Sequence, residues 1–233
     1  KNKFYIKNGS TFCVSNNSIT LSGGGSVAGI LMHQLTFSGA LIYAMISDHS
    51  TLVVASNRIQ LNNGGCSSNM SHNFGISMQR RVLWQADDNS QMLFVKNSIS
   101  ISAVASNAVC SCAGFAVLHR ARPVAAKHSR FHLDSNTLSV AISGSFPSSA
   151  SGIAIVDSAY AEKLGFGQNS TGTINNNTIT VVTPRGGAGI DVRRCGVQLT
   201  HTGAFGVVNN TITATSTGLP SSDAALLTGI VFT

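Results

Sequence analysis

The stretch Asn175-Asn176-Asn177-Thr178-Ile179-Thr180-Val181-Val182-Thr183 decides the fold. Its second half alternates, with Ile179 and Val181 on one side and Thr178 and Thr180 on the other. Alternation of β-branched residues with period two is the signature of a half-buried strand. The asparagines ahead of it mark a bend, because Asn tolerates turn geometry that most residues avoid.

Working outward, the phrase Asn-x-(Ile/Leu)-x-apolar begins at Asn17, Asn57, Asn97, Asn136, Asn177 and Asn210, with successive starts 40, 40, 39, 41 and 33 residues apart. A second phrase, Gly followed by an apolar residue and further alternation, follows each copy at Gly29, Gly75, Gly114, Gly152, Gly189 and Gly229. A third precedes each Asn: Phe12-x-Val14, Leu52-x-Val54, Leu93-x-Val95, Phe131-x-Leu133, Gly172-x-Ile174 and Phe205-x-Val207. Self-similarity at a fixed period identifies a stacked repeat architecture.

A single repeat of this kind cannot bury its own apolar face. Stacking repeats about 4.8 Å apart buries a column of Ile, Leu and Val and pairs each strand above and below. The fold expected is all-β: a right-handed, single-stranded parallel β-helix of five to six repeats with corner loops, occupying residues 1–233 as one unit. The hand follows from the preference of parallel crossovers. Three strands per coil are expected. A fourth strand after the Gly phrase, and two coils per repeat, remain open alternatives. The recurring Asn17, Asn57, Asn97, Asn136, Asn177 and Asn210 are expected to form a structural amide ladder, and the recurring Gly a tight bend. Loops are expected at Asn62–Asn73, Gly144–Ser151, Ala121–Ser129 and Ser158–Asn169.

Composition narrows the function classes. Apolar residues are 43% and charged residues only 10%, so the chain can build a continuous core under a neutral, hydroxyl- and amide-rich surface. The net charge of +7 is not gathered into Lys/Arg runs with interleaved aromatics, so nucleic acid is not an expected partner. No apolar run is long enough to span a membrane. Sequons begin at Asn8, Asn16, Asn69, Asn169, Asn176 and Asn209, and with the composition they point to secretion or the cell surface. The five cysteines, Cys13, Cys66, Cys110, Cys112 and Cys195, do not make a closed disulfide framework. A Cys66–Cys112 bridge is one candidate, and Cys13 reads as a buried thiol. Both ends read as cuts through a longer repeat protein, with further repeats of the same chain as neighbours.

The phrases Asn176-Asn-Thr-Ile-Thr-Val181, Asn17-Ser-Ile-Thr-Leu-Ser22 and Gly189-Ile-x-Val192 resemble the dispersed gene family surface proteins of trypanosomatids and their free-living relatives. More broadly, the chain resembles the pectin-lyase-like β-helix superfamily. The first resemblance implies a very large, glycosylated, surface-anchored parent protein with β-helical repeats and an adhesive role. That family's membrane segments and small Cys-rich modules are not found in this sequence. The broader one raises the alternative of a polysaccharide lyase or glycosidase.

Glycoside hydrolysis needs two convergent carboxylates. The chain has eight acidic residues, Asp48, Asp87, Asp88, Asp134, Asp157, Glu162, Asp191 and Asp223, of which only Asp87-Asp88 are adjacent, in a turn-like QADDNS context. The resemblance also implies an Asp cluster for calcium in a lyase, and none is visible. Neither catalysis, a cofactor nor a metal site is therefore expected. His128 and His132 lie in a strand-like stretch that separates their rings, and Trp84 reads as core or corner. One constellation repeats instead. Four to six residues after each Gly fall His33-Gln34, Arg80-Arg81, His119-Arg120, Asp157-Ser158 and Arg193-Arg194. In stacked coils these would form a row, and guanidinium forks suit carboxylate and sulfate groups. Arg80, Arg81, His119, Arg120, Arg193 and Arg194 are the candidate contacts to acidic polysaccharides or host and cell-surface glycans.

Overall fold

A computed structural model describes residues 3–33, 42–66, 70–79, 82–106, 108–118, 121–146, 148–156, 164–184, 186–193, 197–217 and 227–232. Their regular structure is entirely β, arranged as four parallel sheets of six strands each. Sheet A holds Lys3–Ile6, Ile42–Ile46, Val82–Ala86, Arg122–Ala125, Leu164–Gly167 and Val197–Thr200. Sheet B holds Thr11–Ser15, Thr51–Ala55, Gln91–Val95, Arg130–Asp134, Thr171–Asn175 and Ala204–Val208. Sheet C holds Ser18–Gly24, Arg58–Gly65, Ser98–Val104, Thr137–Ser143, Thr178–Thr183 and Thr211–Ser216. Sheet D holds Val27–His33, Met70–Gln79, Val109–Leu118, Ser149–Val156, Gly187–Arg193 and Leu227–Phe232. The chain runs A, B, C, D and returns to A, so each coil has four strands and each repeat is one coil. Sheet A is the fourth strand, and it occupies described parts of the stretches read as the loops Ala121–Ser129 and Ser158–Asn169.

Register confirms the columns. Ile19, Ile59, Ile99, Leu138, Ile179 and Ile212 are successive partners in sheet C. Sheet B corrects one assignment: Leu52 pairs with Met92 and Val54 with Phe94, not with Leu93 and Val95. Met92 and Phe94 are fully buried, while Leu93 and Val95 face outward and are half-buried. The run Met92-Leu-Phe-Val95 is apolar throughout, so its periodicity says nothing about which side faces in.

The asparagine ladder is complete. Nδ2 of Asn17, Asn57, Asn97, Asn136 and Asn177 each donates to Oδ1 of the next ladder residue, at 2.8–3.0 Å. Each of the same five backbone N–H groups donates to that oxygen as well. The second Nδ2 hydrogen of Asn97 reaches back to Val54 O at 2.9 Å, as that of Asn136 does to Phe94 O. In a buried amide with all its hydrogen-bonding capacity used, the bonds offset the cost of desolvation.

The residue before each ladder Asn turns the corner with positive φ: Asn16, Ser56, Lys96, Ser135, Asn176 and Asn209. A second ladder lies seven residues earlier. Ser10, Ser50, Ser90 and Ser129 each donate their backbone N–H to the Oγ of the next coil's serine, ending at Ser170. Sequence reasoning missed it, although the offset of seven from Asn17, Asn57, Asn97, Asn136 and Asn177 is constant.

The glycine column has a specific cause. A Cβ on Gly29, Gly75, Gly152 or Gly189 would overlap Cγ2 of the following coil's Ile59, Ile99, Ile179 or Ile212. The Gly and Asn phrases therefore belong to one packing contact. At Gly172, where the sheet B column loses its large side chain, the ring of Phe166 fills the space and stacks on Phe205 at 5.4 Å.

Candidate functional site

Of the candidate contacts in the proposed basic row, only Arg193, at the end of a sheet D strand, is described. Arg80, Arg81, His119, Arg120 and Arg194 fall outside the described residues, as do Gln34, Asp157 and Ser158. Arg193 is described, and it departs from the expected row in two ways. Its register partner is Val156, whose own partner Leu118 pairs with Gln79, so Arg193 stands level with Gln79 rather than Arg80. Its guanidinium is also engaged within the chain: Nε donates to Asp191 Oδ1 at 2.6 Å and Nη2 to Oδ2 at 2.5 Å. Asp191 is only 2% exposed, so this fork supplies the countercharge that a buried carboxylate needs. The pairing raises the Arg193 pKa above its ordinary value.

Of the other described carboxylates, Asp87 and Asp88 share one lysine and Asp134 is hydrogen-bonded elsewhere. Asp87 and Asp88 sit at the corner between sheets A and B, and Lys127 Nζ of the next coil bridges them at 3.3 and 3.4 Å. Hydrogen bonds that the exposed Lys127 ammonium donates to Asp87, together with the charges of Asp87 and Asp88, hold its pKa above the ordinary value. Asp48 occupies the same corner one coil earlier and, like Asp88, has positive φ. Asp134 accepts from Ser135 Oγ at 3.0 Å and Asn175 Nδ2 at 3.1 Å on the outer side of sheet B. Asp157, Glu162 and Asp223 are outside the described residues.

The remaining singled-out residues separate. His128 is a corner residue with φ 64, whereas His132 faces outward on sheet B with Nδ1 3.0 Å from Thr173 Oγ1. Burial, with Arg130 nearby, lowers the His132 pKa. No group of three His, Cys, Asp or Glu with metal-binding geometry occurs among the described residues. Trp84 is a core residue at 7% exposure, packed edge-on to Phe4.

The disulfide joins Cys66 to Cys110, not to Cys112. Cys110 and Cys112 both face the interior, since the strand alternates, but Asn73 is the register partner of Cys112 and holds it by an Nδ2···Sγ contact of 3.6 Å. Burial pushes the Cys112 thiol up to about 12, so it stays protonated and inert. Cys13 is exposed on the outer side of sheet B, against expectation, because its strand alternates Phe12 and Val14 inward.

The outer side of sheet C runs across all six of its strands. Its rows run Ser18, Arg58, Ser98, Thr137, Thr178, Thr211 and Thr20, Gln60, Ser100, Ser139, Thr180, Thr213. Neither row contains a carboxylate. The five described sequon asparagines, Asn8, Asn16, Asn169, Asn176 and Asn209, are all exposed corner residues with positive φ. Three of them, Asn16, Asn176 and Asn209, directly precede ladder residues. In these three coils a corner Asn, a ladder Asn and an outward Ser or Thr at the strand start fall in succession, so structural positions spell out the Asn-Asn-Ser/Thr sequon. Among the described residues no helix is long and apolar enough to cross a membrane.

No protein-family model, curated protein or solved structure matches this chain at a significant level.

Proposed function

We propose that the chain is a non-catalytic solenoid segment of a cell-surface or secreted protein, acting as an adhesive surface or spacer. The observation that carries this reading is the outer side of sheet C, whose two rows are carboxylate-free and made of hydroxyl and amide side chains apart from Arg58, extending over all six coils. A regular array of mostly neutral donors and acceptors on a backbone fixed by two internal ladders is suited to contact, and it lacks the opposed acid and base of a glycosidase. The Cys66–Cys110 disulfide supports an oxidising, extracytoplasmic setting.

Acidic glycans are the proposed ligand class, with Arg80, Arg81, His119, Arg120 and Arg194 as contacts; Arg193 is removed from that set because it holds Asp191. The test is retention on immobilised heparin and on a neutral-glycan control, for the parent and for Arg80→Ser/Arg120→Ser. Earlier, salt-sensitive elution of the double variant supports the reading. Equal retention of the two proteins overturns the glycan assignment. Release of unsaturated or reducing ends from pectate or heparin would replace the whole proposal with the polysaccharide lyase or glycosidase alternative.

A further inference from the structure

We propose that the outer side of sheet B carries a binding site for the hydroxyl groups of a neutral saccharide, built by His132, Asp134, Thr173 and Asn175 and separate from the basic row. These four residues form a square across two coils. His132 pairs with Thr173 and Asp134 pairs with Asn175. The two pairs are two residues apart along their strands, so all four side chains share one side. Their strands, Arg130–Asp134 and Thr171–Asn175, lie between the sheet B strands of coils 3 and 6, so neighbouring strands flank the square on both sides.

Both pairs are bonded across the coils. Thr173 Oγ1 lies 3.0 Å from His132 Nδ1, and Asn175 Nδ2 donates to Asp134 Oδ1 at 3.1 Å. Asp134 is held in turn by Ser135 Oγ at 3.0 Å. These bonds orient the imidazole and the amide, and each keeps one further polar atom. His132 Nε2 and Asn175 Oδ1 are buried and have no hydrogen-bond partner within the chain. Buried polar atoms are nearly always paired, so two such atoms on diagonal neighbours call for a partner from outside. Because their carriers are already fixed, binding costs little side-chain freedom. Both residues are only half-buried, so a ligand reaches the two atoms by displacing side chains at the rim rather than backbone.

The chemistry of the square selects the ligand. Burial, with Arg130 nearby, lowers the His132 pKa, so near neutral pH the ring is uncharged and Nε2 is a single neutral hydrogen-bonding group. Asn175 Oδ1 only accepts. A hydroxyl both donates and accepts, so adjacent hydroxyls of one sugar suit the two atoms. An acidic ligand would meet the Asp134 carboxylate, and the exposed Arg130 balances that charge within the site. In coil 3 the rows of His132 and Asp134 continue into the outward, half-buried Leu93 and Val95, an apolar floor for the C–H face of a sugar. In coil 6 the His132 row holds Gly206, where a Cβ would meet nothing within 4 Å, so that flank is open.

Native electrophoresis of the full 233-residue chain through gels containing galactomannan, xyloglucan or dextran tests the site. Retardation by at least one of these neutral polysaccharides is expected. It should persist at high salt, because no ion pair to the ligand is involved. His132→Phe with Asn175→Ser removes both atoms without changing the formal charge near neutral pH, and should weaken the retarding interaction about tenfold or more. Gly206→Leu fills the open flank, leaves the four polar residues intact and should weaken it as well, which separates ligand contact from damage to the square. Retention of both variants on heparin, which reads the basic row, should match that of the parent. Absence of retardation in all three gels, or equal retardation of the parent and either variant, overturns the proposal and leaves the basic-row reading to its own test.

Discussion

Gly75 and Ile99 meet across successive coils, with Ile99 Cγ2 occupying the space that a side chain at residue 75 would need. A Cβ there would also fall 2.6 Å from Gly114 O, a backbone atom held in its own sheet. Gly75→Ala should therefore destabilise by roughly 1–3 kcal/mol or more, as overpacking does. Ile99→Ala in the same chain should restore only part of this, because the carbonyl clash persists. Urea unfolding of the two single variants and the double variant measures the coupling. Additive losses would show that the Gly and Asn phrases are independent.

Asn97 uses every hydrogen-bonding position of its amide. Asn97→Ala leaves the Asn57 donors and the Asn136 acceptor short of partners in a dry interior, at a cost of roughly 1–3 kcal/mol for each group left unsatisfied. Asn97→Asp should be worse at neutral pH, because a carboxylate cannot donate to Asn136 Oδ1 or Val54 O and carries a buried charge. Burial without a countercharge raises the folded-state pKa of that Asp. Its variant should therefore be most stable at low pH and lose stability as pH rises through the raised value. Chemical denaturation at several pH values reads this directly.

Arg193→Ser would strand the Asp191 carboxylate at 2% exposure. Breaking a buried pair on one side costs roughly 3–5 kcal/mol, which we lower to about 2–3 because half of the Arg193 side chain is in solvent. Asp191→Asn with Arg193→Ser should recover most of the loss. Thermal melting of the three variants checks the order.

Cys66 and Cys110 close a loop across 44 residues, tying coil 2 to coil 3. Chain-entropy arguments put such a bridge at about 4 kcal/mol. Reduction, or Cys66→Ser with Cys110→Ser, should lower the unfolding midpoint accordingly. Alkylation of the native protein should leave Cys112 unmodified while labelling Cys13.

His132 has its pKa lowered from 6.5, chiefly by burial. A histidine lowered in the folded state contributes stability above its unfolded pKa and loses it as pH falls. The chain should melt at a lower temperature on acidification from about pH 6.5, and His132→Gln should remove that part of the dependence.

The repeat period, the amide ladder and the isoleucine column were determined by the sequence alone. Each is a local pattern repeated at near-constant spacing, and stacking brings equal positions together whatever the shape of the corners. The inward side of the coil-3 strand in sheet B, the short sheet A strands, the Cys66–Cys110 bond and the removal of Arg193 from the basic row were decided only by tertiary structure. Which way a side chain points depends on the backbone of the preceding corner and on the neighbouring coil: one left-handed residue turns the chain into sheet C and two turn it into sheet B, and Lys96 or Lys127 at such a corner carries no mark of that role in its side-chain chemistry.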